Sequence, residues 1–412
     1  MEKLSLKTTV LLLTFSLGVA LTSAFLFKTI AKKSDSTEIS DPTEISQTNP
    51  PSENKIPNSF ETKDKTLEMV FVLDTTGSMS GLLDGAKQRI WGIVNEVMQK
   101  QSRPSVRVGL VAYRDRGDAY VTQVTPLTDD LDKVYSVLME YRAGGGGDTP
   151  EDVRRALAEG VQKAGWSQSR TGVAQIIFLV GDAPPQNYQD EPDVLKTTAD
   201  AIKKNMIVNT IQCGAAADTR QIWQEIAQRG EGKFFAIAQD GGVQTIATPF
   251  DARLAELGNK VGQTYVAYGG GGGADGVAMR LEKNQQQAAM ESKVSTNASM
   301  GAQADRALNK AVNKSAYFGD LLQDVENGII KIENVKAEDL PEDLQKLSIA
   351  ERKKEIERRL TERKKIREEI VNLSKQRDEF VAAERKKNKQ QNGFDVAVAT
   401  ALKEQLERKG IR

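Results

Sequence analysis

The run Met69-Val70-Phe71-Val72-Leu73-Asp74, continued by Thr75-Thr76-Gly77-Ser78-Met79-Ser80, decides the reading of this chain. Consecutive apolar residues, Val and Phe among them, predict a strand buried on both faces, the kind found in a parallel sheet covered by helices. The run ends in a carboxylate, and hydroxyls and a glycine follow at once. Asp74, Thr76 and Ser78 alternate by two along a tight turn, so their oxygens can face one point. Gly77 leaves the backbone free to make the turn.

Working outward, further strand-like runs occur at 67–74, 106–115, 120–127, 175–182, 207–214 and 233–238. Helical patterns separate most of them. In the first, Leu82, Leu83, Ala86, Ile90, Ile93, Val94, Val97 and Met98 recur at spacings of three and four. Alternation of this kind predicts an α/β fold with a doubly wound, mostly parallel six-stranded sheet. No helix separates the second run from the third, so these form a hairpin with an antiparallel edge strand.

Ligands of such a sheet gather beyond the carboxyl ends of its strands. There the sequence places Asp74, Thr76 and Ser78, then Asp148, Thr149 and Glu151 in "GGGGDTPEDV", then Asp182 in "LVGDAPP". Every one is a hard oxygen donor. The set suits Mg²⁺, with Mn²⁺ or Ca²⁺ as the other candidates. Asp115, at the end of the second strand, and Asp148 are candidates for holding the ligands in place. Taken singly, Asp74, Ser78 and Asp182 would also serve as helix or turn caps.

Absences narrow the chemistry. Of 412 residues none is histidine, which excludes Ser-His-Asp and Cys-His nucleophiles and removes the commonest zinc ligand. Cys213 is the single cysteine and reads as a buried apolar residue. The 57 basic and 57 acidic side chains balance, which argues against a nucleic-acid partner. Thr76 stands where a Mg²⁺ phosphotransferase of the haloacid dehalogenase type would carry its second acid. That enzyme reading is the alternative to binding; a structural assembly module with a vestigial metal site is another.

"DTTGS" at 74–78, at the end of an apolar first strand and matched by "GDAPP" at 181–185, resembles the metal-ion-dependent adhesion site of von Willebrand factor A domains. The resemblance covers about 66–250. It implies strand order 3-2-1-4-5-6, direct hydroxyl ligation by Thr76 and Ser78, and Asp74 and Asp182 acting directly or through water. It also implies a protein partner that offers an acidic side chain to the metal, and no enzymatic activity. The third loop departs from the usual Thr-initiated pattern, since Gly147 stands at that Thr. The integrin β-subunit version, with a glutamate ligand, matches better and makes Glu151 the candidate and Thr149 the second choice. Ser80-Gly81-Leu82 lacks the acids of the adjacent regulatory site found in that subunit.

The remaining segments divide as 1–33, 34–65 and 251–412. Residues 8–27 are apolar and flanked by lysines, and are expected to be an uncleaved membrane anchor with the A domain on the extracytoplasmic side. Cleavage as a signal peptide before Phe25, giving a secreted protein, is the alternative. Residues 34–65 read as a flexible tether. The 251–412 extension is expected to be mixed, then helical and highly charged, with Ile356, Leu360, Ile366, Ile370, Leu373 and Phe380 as a stripe for a helical hairpin, a coiled coil, or a helix laid on the main domain or a partner. It resembles the extension that follows the A domain in some bacterial membrane-anchored proteins. "GGGGGADG", with Gly271, Gly273 and Gly276, lacks the context of a dinucleotide fingerprint and reads as a loop. Arg116-Gly117-Asp118 reads as a turn.

Overall fold

The six strands of the sheet run in the order β3-β2-β1-β4-β5-β6. In chain order the elements are β1 (Thr66–Asp74), α1 (Ser80–Met98), β2 (Ser105–Tyr113), β3 (Thr122–Thr128), α2 (Leu131–Glu140), α3 (Val153–Gln162), β4 (Val173–Gly181), α4 (Val194–Lys203), β5 (Met206–Cys213), α5 (Ala217–Arg229) and β6 (Glu231–Ile237). The extension adds α6 (Asp251–Gly262), α7 (Gly273–Asn297), α8 (Met300–Val312), α9 (Leu321–Glu326), α10 (Glu342–Gln345), α11 (Ile349–Lys387) and α12 (Phe394–Arg408). This is a computed structural model, and it describes residues 65–99, 104–147, 151–168, 171–243, 245–387 and 393–411. The apolar segment 8–27 and most of the expected tether lie outside the described residues, as do Asp148 and Thr149. Among the described residues no helix is long and apolar enough to cross a membrane.

All pairings are parallel except β2–β3, the expected hairpin. The continuous apolar character of β1 now has its cause. Leu67, Met69, Phe71 and Leu73 belong to one core and Val70 and Val72 to the other, so both faces are covered. Helices α3, α4 and α5 cover the second face, while α1, α2 and α12 cover the first. Each large side chain buried this way contributes about 1.5–3 kcal/mol. Register sets Asp74 opposite Tyr113 and Leu73 opposite Val180, so Asp74 ends beside Gly181 at the carboxyl edge of the sheet.

The last helix, α12, is distant in sequence yet lies in the main core. Phe394 packs 5.9 Å from Phe71, and Gln405 exchanges amide hydrogen bonds with Asn209 of β5 at 2.6 and 3.0 Å. α11 lies along α6 and α8 of the same chain. Four of its six buried positions, Ile356, Arg363, Ile370 and Arg377, recur every seven residues, isoleucine alternating with arginine; Arg352 and Ser374 are the other two. Both of the alternating arginines reach buried carboxylates, Arg363 to Asp320 and Arg377 to Asp251 and Asp305. Arg306 and Lys310 of α8 clasp Asp132 of α2 in the same manner.

The glycine run at 269–273 is a loop through Gly272, closed by Asp339, which accepts from the Gly271 amide, and by Arg280, which donates to the Gly269 and Gly271 carbonyls. Helix α7 starts at Gly273.

Candidate functional site

Asp74 is the last residue of β1 and is fully buried. Its Oδ1 accepts hydrogen bonds from the Thr76 amide at 2.8 Å and the Thr76 hydroxyl at 2.7 Å. This short-range pairing folds "DTTGS" back on itself, and the chain then passes through a single 3₁₀ turn, Gly77–Met79, into α1. The Thr76 and Ser78 hydroxyls lie 3.3 Å apart. Thr76 is buried, whereas Ser78 is exposed, so the pair spans from the floor of the site to solvent.

The second loop comes from the glycine run before α3. Gly145 and Gly146 have φ of +77° and +74°, in the left-handed region that glycine adopts without strain. They are also crowded: a Cβ on Gly145 would come within 2.3 Å of Asp118 Oδ1, and one on Gly146 within 3.1 Å of Thr76 Cβ and 3.3 Å of Glu151 Oε1. Glycine here lets the backbone close over the first loop, and it places Glu151 and Thr76 around one point. Glu151 is buried and held by its backbone, which donates to the Pro184 carbonyl at 3.1 Å and accepts from the Gln186 amide at 2.7 Å.

Asp182 follows β4. Its Oδ2 accepts from Gln239 Nε2 at 2.6 Å, and its carbonyl accepts from the Thr219 hydroxyl at 3.0 Å. Gly181 before it admits no side chain, since a Cβ would lie 2.4 Å from the Tyr113 hydroxyl and 3.1 Å from Asp74 Oδ2.

The electrostatics are unbalanced. Asp74 Oδ2 and Glu151 Oε2 are buried without hydrogen-bond partners. None of the ion pairs among the described residues involves Asp74, Glu151 or Asp182. Burial raises the Asp74 carboxyl to about 7, against the two Thr76 hydrogen bonds and with a smaller push from Asp182. Burial also raises Glu151 to about 8, with Asp74 the next contributor. Tyr113 is driven well above the usual phenol range by burial and by Asp74, so it stays protonated; its hydroxyl donates to the Val180 carbonyl at 3.3 Å. Two buried oxygens without donors, beside two hydroxyls, form a donor set that fits a hard divalent cation. Among the described residues no three acidic, cysteine or histidine side chains form a metal-holding cluster; the set here is carboxylates mixed with hydroxyls.

Of the residues expected from sequence, Asp74, Thr76, Ser78, Glu151 and Asp182 meet at this edge. Asp115 stands behind them, its two carboxylate oxygens sharing the single proton of the Tyr188 hydroxyl at 2.9 and 3.0 Å. Arg116-Gly117-Asp118 is a turn whose charges are in use. Arg116 lies 3.8 Å over the Tyr188 ring and pairs with Asp152, Asp190 and Glu191, while Asp118 accepts from the Gly146 amide. Sequence reasoning gave no role to Tyr113 or Gly181, and missed Gln239 and the supporting role of Asp118. Only Gly181, immediately before Asp182 in "LVGD", carried a signal that could have found it.

Residues 68–249 match the family model described as the von Willebrand factor A domain. Among solved structures, the conserved hypothetical protein BatB from Bacteroides thetaiotaomicron is 18% identical, with 42% of this chain and 90% of that one covered and a TM-score of 0.30. The SpRpn10 VWA domain is 15% identical, with 42% and 88% covered and a TM-score of 0.32. No curated protein matches the chain.

Proposed function

We propose, starting from residues 68–249 as a von Willebrand factor A domain, that the chain binds a protein partner through a divalent cation held at the carboxyl edge of its sheet. Domains of this family are typically protein-interaction modules, and the metal, an acidic side chain of the partner and the membrane tether extend that role. The observation that carries it is the pair of buried, donorless oxygens, Asp74 Oδ2 and Glu151 Oε2, set beside Thr76.

Thr76, Ser78 and Glu151 would hold the ion, with Asp74 and Asp182 acting directly or through water. Mg²⁺ is preferred because it keeps waters and leaves a position for an acidic side chain of the partner. Once bound, the cation supplies positive charge to a pocket whose carboxylates otherwise repel one another. The chain's own part is to orient the hydroxyls through Oδ1 of Asp74 and to keep Ser78 open to the partner. Glu151 is favoured over Thr149 as the third-loop ligand by its orphaned oxygen.

Residues 8–27 would anchor the chain in a membrane, with this domain on the extracytoplasmic side.

The test is thermal. Mg²⁺, Mn²⁺ or Ca²⁺ at about 100 times its Kd is expected to stabilise the wild type by about 2.7 kcal/mol. Asp74→Ala and Ser78→Ala abolish the shift with the far-UV spectrum unchanged, and Glu151→Gln weakens it more than Thr149→Ala does. A wild type indifferent to all three ions would overturn the metal reading. Phosphatase turnover lost in Asp74→Asn would favour the enzyme alternative instead. Capture of partners with and without chelator then tests the binding role.

A further inference from the structure

The outer face of α11 carries a pattern that its packing against α6 and α8 does not require. Lys353, Lys364, Lys375 and Lys386 are spaced by eleven residues, and Glu357, Glu368 and Glu379 repeat that spacing four residues further on. Eleven residues are close to three turns, so the repeat keeps all seven in one line along the helix. The line alternates in sign from Lys353 at one end to Lys386 at the other. All seven side chains are exposed, and among the described residues none makes an ion pair or a side-chain hydrogen bond. Many other charges of the same helix are paired: Arg358 with Glu355 and Glu362, Arg359 with Asp343, Arg367 with Glu326, and Glu369 with Arg253.

Pairing within the helix does not account for the line. Each of the first three lysines precedes its glutamate by four residues, the less favourable order for such a pair. Each glutamate lies seven residues before the next lysine, about 10 Å along the axis and out of reach. Solubility needs charge on this face, but neither a fixed period nor a strict alternation of sign. An anionic surface, of lipid or nucleic acid, would meet the three glutamates along with the lysines.

We infer that a second copy of this chain docks along this line, its α11 antiparallel to the first. Reversed and centred at the level of Ile366, the line is its own complement. Lys353 then faces Glu379 of the other copy, Glu357 faces Lys375, and Lys364 faces Glu368, so two-fold symmetry gives six opposed pairs. Thr361 meets Val371, an exposed apolar residue, between these pairs, and Ala350 meets Ala382 outside them. These small side chains let the two helices approach. A parallel pair in register would set every lysine on a lysine and every glutamate on a glutamate. Exposed pairs are individually weak, so the dimer depends on all six together and on low salt. Such a dimer carries two A domains.

The experiment is sedimentation velocity on the full chain in a neutral detergent, with chelator present throughout so that the divalent site plays no part. A monomer–dimer equilibrium is expected at about 50 mM salt, weakened at least tenfold at about 500 mM, where the screening length is about threefold shorter. Lys364→Glu sets a glutamate against Glu368, and Glu368→Lys sets a lysine against Lys364; each should weaken the dimer at least tenfold. The combined exchange Lys364→Glu/Glu368→Lys returns the opposed signs and should restore it. Both positions are exposed, so the melting profile in high salt should stay that of the wild type. Ala350→Cys/Ala382→Cys should give a disulfide-linked dimer on oxidation, and neither single variant should; Cys213 is buried and stays out of the exchange. A chain that remains monomeric at about 100 μM in low salt overturns the inference. So does a dimer indifferent to salt and to both single reversals, which would assign the contact to an apolar face instead. A dimer lost in both single variants and not restored by the exchange overturns the antiparallel register.

Discussion

Buried carboxylates occur in two regions of this molecule, and they are treated in opposite ways. At the carboxyl edge of the sheet, Asp74 and Glu151 are buried with no basic partner, and their carboxyls rise to about 7 and about 8. Where the extension packs on the domain, Asp132 is equally buried, but Arg306 and Lys310 hold it far below the ordinary carboxylate range. Asp320 and Asp251 likewise carry arginine partners from α11. Desolvation is common to both regions, so the difference is compensation. A buried acid with its base in the fold is architecture; one without a base is left for the proposed cation to compensate.

The comparison can be broken most forcefully on the compensated side. Arg363→Ala would strand Asp320, which is fully buried, and should cost about 3–5 kcal/mol in urea unfolding. A loss well under that would mean that water enters the pair and that it is not core.

On the uncompensated side the sign reverses. The folded pKa of Asp74 lies above its unfolded value near 3.8, so the folded state binds the proton more tightly. Stability of the metal-free protein should therefore fall as pH rises from about 4 to about 7. Asp74→Asn should flatten that fall and stabilise the metal-free protein at pH 8, on the order of 3–4 kcal/mol, while abolishing stabilisation by metal. Asp132, with its pKa depressed, contributes the other way: its stabilisation is present above the ordinary carboxylate range and is lost in acid. Chemical denaturation across pH with and without chelator separates the two.

A smaller effect sharpens the role of the last helix. Gln405→Leu would leave the buried Asn209 Nδ2 with only a 3.5 Å contact to the Ile177 carbonyl, while its Oδ1 still accepts from the Lys233 amide, and should cost about 1–3 kcal/mol, read as a lower urea midpoint. The smallest effect belongs to the solvated face of α11. Arg358→Ala removes exposed pairs to Glu355 and Glu362 and should leave the urea midpoint where it is. A lower midpoint would show that the charged face does more than remain in water.

Much of the fold was legible because burial on both faces leaves a linear trace. Continuous apolar strands, amphipathic helices between them and the missing helix before β3 sufficed to expect the parallel sheet and its antiparallel edge. The first loop of the site was legible for a similar reason: Asp74, Thr76 and Ser78 act within five residues, so their geometry is local. The extension was far less legible. Its core stripe on α11 alternates isoleucine with arginine, and an arginine that will be buried looks in sequence like any arginine on a solvated face. Its partners Asp251, Asp305 and Asp320 are distant in the chain.

The sequence by itself determined the class of fold, the edge of the sheet where the candidate site lies, and which oxygen-bearing side chains stand there, because strand burial and turn chemistry are short-range. Only the tertiary structure decided which acids have bases and which do not. It also decided that α12 completes the main core, and that Tyr113, Gly181 and Gln239 frame the site. Those outcomes depend on residues brought together from far apart, and on the loss of water around them, which no linear spacing records.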